Sequence, residues 1–228
     1  MNSVCVKGLS MSVSAILVTL LPLSQSTSAD IARAEFERLN ACLEKTETNP
    51  AEAYEDSLAW LSNGNRPKAR HCNAIALLEL GNLEEAAAKL EALANASDAI
   101  SLEDRGLYMA QAGNTWLSAG YPDAAIVALT AALKLQPESA SLYKDRAAAY
   151  LTLERWIEAV DDLNAALAQN PADPDALTLR ARAHLATENL DAAMADMQDA
   201  LVHDPENIDI LVLRGDIREA TRLSRETN

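Results

Sequence analysis

The sequence predicts an all-α fold: an α-solenoid of antiparallel helix pairs, with about eleven helices after an N-terminal leader. Composition is the first observation behind this. Hydrophobic residues make up 49% of the 228 and aromatics only 4%, and the abundance of Ala, Leu and Glu favours helices over strands. The second is a period of 34 residues, which relates Ala125, Ala159 and Ala193, the pairs Ala132-Leu133, Ala166-Leu167 and Ala200-Leu201, and Pro137, Pro171 and Pro205. The third is punctuation. Every proline beyond Pro22 falls at a helix boundary, where a missing N–H and a fixed φ are tolerated.

Residues 1–29 hold no Asp or Glu and one cation, Lys7. The apolar run Val13 to Leu23 follows, then the small polar stretch Ser24 to Ala29. That order is the one of a signal peptide, cut near Ala29, and the run is about half the length that a spanning helix needs. The chain is therefore expected to be exported, to the periplasm if bacterial, without stable membrane insertion after cleavage. Cleavage removes Lys7 and Cys5. The formal charge of -15 becomes one unit more negative, and two cysteines remain, Cys42 and Cys72.

The rest, 30–228, reads as one solenoid. A degenerate helix pair spans 30–66, split at Asn49-Pro50. A divergent repeat spans 67–105: Pro67 opens it and Gly81 ends its first helix. Gly81 and Gly120 are 39 residues apart, so five extra residues fall before the next unit, expected in the connection Asn95–Leu102. Three repeats in register follow, 106–139, 140–173 and 174–207, and a capping helix covers 208–225. Small residues recur where two helices of a pair would cross: Gly113, Ala147, Ala181 and Gly215 on first helices. Larger ones, among them Trp116, Tyr150, Leu129, Leu163 and Met197, fill the space between.

The three regular units resemble the tetratricopeptide repeat family over their full length. The resemblance implies a superhelix of stacked helix pairs that binds a protein or peptide in a concave groove lined by first helices. The positions that would line it are Lys68, His71, Ala110, Asn114, Lys144, Ala148, Thr178 and Arg182. Of these, Lys68, His71, Asn114, Lys144 and Arg182 are the candidates for contacting a ligand. The family also sets adjacent first helices side by side. Cys42 and Cys72 then either form one disulfide, as an even count in an exported chain suggests, or stay as two buried thiols. They lack the spacing and the further ligands of a metal site.

A second pattern is ionic. Arg146, Arg180 and Arg214 share one register position, and Asp162 and Asp196 share another. The repeat 106–139 has Ala112 and Ala128 there instead, so both partners are absent together. This predicts structural pairs, Arg146 with Asp162 and Arg180 with Asp196. The last helix adds a stripe, Arg214, Arg218, Arg222 and Arg225.

The charge of -15 speaks against nucleic acid and anionic lipid, since both need Lys and Arg against phosphate. It favours a basic partner. No phosphate loop, metal-ligand spacing or nucleophile elbow is present, so no enzyme, metal or cofactor is expected. The expected function is a non-catalytic protein- or peptide-binding scaffold of the cell envelope. The alternatives are a self-associating structural protein and, third, an enzyme with a site in the groove.

Overall fold

First helices and second helices begin and end by different local rules, and these rules repeat down the chain. The computed structural model describes residues 27–98 and 101–227. Among these it has eleven helices: α1 (Ser28–Thr48), α2 (Pro50–Ser62), α3 (Pro67–Glu79), α4 (Leu83–Ala94), α5 (Leu102–Ser118), α6 (Pro122–Leu135), α7 (Ala140–Thr152), α8 (Trp156–Gln169), α9 (Pro174–Ala186), α10 (Leu190–His203) and α11 (Ile208–Thr227). Most of the expected leader lies outside the described residues, and α1 begins just after Thr27. None of the helices among the described residues is long and apolar enough to cross a membrane.

First helices other than α3, which opens on Pro67 without one, start on side-chain caps. Thr27 and Asp30 form a reciprocal capping box at α1, and Ser101, Ser139 and Asp173 accept backbone N–H groups at α5, α7 and α9. Four first helices then end in one and the same way. Residues 81, 120, 154 and 188 take positive φ, and the next N–H reaches back five residues: Asn82 to Leu77, Tyr121 to Trp116, Arg155 to Tyr150 and Asn189 to His184. This is the Schellman closure, which satisfies carbonyls that the helix leaves open. Glycine fills its left-handed position at Gly81 and Gly120, but Glu154 and Glu188 hold φ of 55° and 59° there.

The second helices α6, α8 and α10 stop at prolines. Gln136, Asn170 and Asp204 still donate to Ala132, Ala166 and Ala200, and the proline that follows each cannot continue the helix. Asn49 serves twice, closing α1 and capping α2 through Glu52 N–H, so one residue makes the junction.

The small residues lie where helices cross. Ala125, Ala147, Ala159, Ala181 and Ala193 are fully buried. A Cβ on Gly113 would sit 2.6 Å from Leu129 Cγ, so the α5–α6 crossing admits only glycine there as it stands. Leu129, Leu163 and Met197 fill the same layer in successive units.

The five residues that break the period are not all in a connection. Helix α5 has 17 residues where α7 and α9 have 13, and its first turn lies ahead of Gly106. That turn is held by Arg105, whose guanidinium donates to the carbonyls of Ala94 (3.2 Å) and Ala96 (2.8 Å) at the end of α4.

Candidate functional site

Neighbouring first helices touch: α1 with α3, α5 with α7, α7 with α9 and α9 with α11. Neighbouring second helices approach each other less closely. The stack therefore bends with its first helices on the inner side, and the expected binding positions lie along that side.

The structure gives most of those positions a partner within the chain. Lys144 Nζ lies 2.9 Å from Asp173 Oδ2 and 3.4 Å from Asp175 Oδ2. Burial alone would lower its pKa, but the two carboxylates outweigh that and raise it. Asn114 donates to Asp145 Oδ2 over 3.0 Å. Burial raises the Asp145 carboxyl above the usual carboxylate range, against the pull of Asn114 and Lys144. Lys68 stands over the Phe36 ring, 5.6 Å from its centroid. Arg182 is exposed and makes no ion pair among the described residues. Thr178 is buried, its hydroxyl donating to the Pro174 carbonyl.

His71 departs from the expectation of a groove-lining contact. It is 4% exposed. Its ring packs against Tyr108 at 4.7 Å, and Nε2 lies 2.8 Å from Gln111 Oε1. It links α3 to α5 from below the surface. Burial lowers its pKa, with Gln111 and Asp104 pulling the other way.

The inner face is not filled evenly. Between the starts of α1, α3 and α5 lies a cleft of about 310 Å³, lined by Ile31, Ala32, Glu35, Arg66, Pro67, Lys68, Asp104 and Tyr108. Arg66 pairs with Glu35. Asp104 comes from the added turn of α5; its backbone N–H is capped by Ser101, and its half-buried carboxylate has no ion pair among the described residues. Its charge reaches Tyr108, whose hydroxyl is pushed up to about 12 by burial first and Asp104 second. Asp104 was missed by family register because the inserted turn has no counterpart in the regular repeats, and Tyr108 because its register position holds the buried Leu142 and Ala176 in the next two units. The break in the period was the signal that could have found Asp104.

The other sequence-derived residues fall as follows. Cys42 on α1 and Cys72 on α3 have Cα atoms 6.0 Å apart, the separation that a disulfide spans. Arg146 grips Asp162 with two hydrogen bonds of 2.7 Å, and its third nitrogen donates to Thr130. Arg180 repeats this with Asp196, at 2.8 and 2.6 Å, and with Asn164. Each arginine thus ties its own second helix to that of the preceding unit. Asp162 raises the Arg146 pKa and Asp196 that of Arg180. His184 lies 3.8 Å from Asp196, half-buried, with burial lowering its pKa. Among the described residues, no three His, Cys, Asp or Glu side chains converge as a metal-binding set.

Comparison with known proteins agrees with this architecture. The sequence profile of the tetratricopeptide repeat family matches residues 117–184. No curated protein matches the chain. Among solved structures, the first TPR domain of human RPAP3 is 27% identical, with a TM-score of 0.52 over 54% of this chain and 97% of that one. The second TPR domain of human RPAP3, in complex with an HSP70 peptide, is 23% identical, with a TM-score of 0.50 over 52% of this chain and 98% of that one. YrrB, described as a TPR protein with an unusual peptide-binding site, shares the fold at 16% identity, with a TM-score of 0.65 over 84% of this chain and 100% of that one. Eleven helices in the described residues, the 34-residue period and these likenesses show an α-solenoid of the tetratricopeptide type, whose family profile the chain matches over residues 117–184.

Proposed function

We propose that the protein is a non-catalytic scaffold that binds a peptide segment of a partner protein along its inner face. The cleft between α1, α3 and α5 carries this reading. It joins apolar walls, Ile31, Pro67 and Tyr108, to an Asp104 carboxylate with no ion-pair partner among the described residues, so an apolar side chain next to a basic one suits it. The acidity of the chain favours the same basic partner and speeds encounter at low salt. The lysine and asparagine of the regular repeats contribute less, because Lys144 and Asn114 already bind acids of this chain. Relatives of the same fold that bind peptides support a peptide over a small molecule.

A peptide array scored by binding of the exported protein tests this. Basic-apolar peptides should bind, and Asp104→Lys should weaken them at least tenfold while leaving the circular dichroism unchanged. Equal binding by the variant would overturn the cleft as the site.

The proposal includes export, with 1–29 removed near Ala29, and a Cys42–Cys72 disulfide in the oxidising compartment. Intact mass should rise by about two protons on reduction, and the bridge should add roughly 3–4 kcal/mol on chain-entropy grounds. Two thiols that alkylate without reductant would remove the bridge from the account.

A further inference from the structure

The register of the arginines leads to a second surface, away from the inner face. Arg146 and Arg180 each bind an Asp sixteen residues ahead, on the helix that follows. Arg214 holds the same place on α11, half-buried, with no ion pair among the described residues. Gly215 beside it matches Ala147 and Ala181, which are fully buried against their second helices. A Cβ on Gly215 would meet nothing within 4 Å. Leu211 completes the trio, in the place of Leu177 on α9. So α11 carries the three contacts that first helices use to hold a second helix, and no described helix covers them.

The neighbouring surface fits a helix of acidic character. One turn beyond Arg214, a cleft of about 390 Å³ opens between α10 and α11, lined by Met194, Arg218, Thr221, Arg222, Arg225 and Glu226. Arg222 binds Glu219 and Glu226. Arg218 and Arg225 have no ion pair among the described residues, in a chain where acids outnumber bases 34 to 19. Three arginines on one helix face that pair with no carboxylate among the described residues make this a cationic patch on an acidic protein.

We propose that this face of α11 docks an amphipathic helix of another protein, one that carries Asp three residues after a small residue and just before Leu or Met. That pattern is the one by which α8 (Ala159, Asp162, Leu163) and α10 (Ala193, Asp196, Met197) seat on α7 and α9. The small residue crosses at Gly215, the carboxylate takes Nε and one terminal nitrogen of Arg214, and the apolar residue lies over Leu211.

The probe is a fluorescein-labelled peptide of residues 189–205, which is α10 with its flanks, titrated against the full chain by anisotropy. An isolated helix of this length is marginal, so peptide helicity should rise on binding. Saturable binding is expected. Arg214→Gln in the protein should weaken it at least tenfold, and Asp196→Asn in the peptide should do the same for the unaltered protein but add little against Arg214→Gln. Gly215→Leu should abolish binding while thermal unfolding shows the protein still folded, since the space there is open. Absence of saturable binding, or binding that survives both protein variants, overturns the proposal. A dimer in sedimentation that Arg214→Gln dissolves would assign the face to a second copy, and would also overturn it.

Discussion

Arg146 and Asp162 meet side by side, with Nε and one terminal nitrogen each 2.7 Å from one carboxylate oxygen. Asp162 is 6% exposed, so loss of the guanidinium would strand a buried charge. Arg146→Ala and Asp162→Ala should each lower stability by about 2–4 kcal/mol. The unit 106–139 shows the neutral solution: Ala112 and Ala128 stand in these places, both buried. The double variant should therefore cost much less than the two singles together. Urea midpoints across the double-mutant cycle measure this, and simple additivity would contradict it.

Gly113 and Gly215 share a register position but differ in surroundings. At Gly113 a Cβ meets Leu129 at 2.6 Å; at Gly215 it meets nothing within 4 Å. Gly113→Ala should destabilise by about 1–3 kcal/mol through overpacking, despite its better helix propensity. Gly215→Ala should stabilise by about 0.5–1 kcal/mol, the propensity gain alone. Opposite shifts in thermal midpoint are the expected reading.

Glu154 and Glu188 hold the left-handed position that Gly81 and Gly120 hold in other turns. An L side chain there costs roughly 1–2 kcal/mol. Glu154→Gly and Glu188→Gly should each recover part of it, and Gly120→Ala should lose stability. Measured by urea unfolding, no gain in either glutamate variant would mean that the side chain offsets the strain.

A buried group and a half-buried one set opposite pH slopes. Burial lowers the His71 pKa below its usual 6.5, so the folded state resists protonation. Its contribution is whole above about pH 6.5 and is lost as pH falls through the folded value. His71→Gln should flatten stability between pH 7 and 5. Burial raises the Asp145 pKa, so its ionised form is a burden on the folded state at neutral pH, relieved as pH falls through the raised value. Asp145→Asn, which can still accept from Asn114, should raise the urea midpoint at pH 7, with the gain fading toward pH 3.

The fold was legible because one set of contacts repeats. Ala125, Ala159 and Ala193 announce the crossings, and Pro137, Pro171 and Pro205 announce the ends. The Arg–Asp geometry followed from co-occurrence: both partners vanish together in the unit with Ala112 and Ala128. The inner face was less legible, since a register position says which way a side chain points but not what already holds it. Lys144 and Asn114 point inward, yet Asp173 and Asp145 bind them, and these acids sit on the next first helix or at its cap, about 30 residues on. His71 sinks instead of lining the surface because Tyr108 and Gln111, on the irregular α5, take its ring.

Arg105 and the added turn of α5 bear on how the molecule yields under force. A solenoid coheres through nearest neighbours, and the α4–α5 and α5–α6 contacts are the most extensive among the described residues. Arg105 adds a clamp on the end of α4 that no regular unit has. Drawn apart from its two ends, such a rod would shed its outer pairs first and keep α4, α5 and α6 together longest. The irregular stretch of the sequence is thus the mechanical centre of the rod, with the disulfide candidate to one side and the arginine ladder to the other.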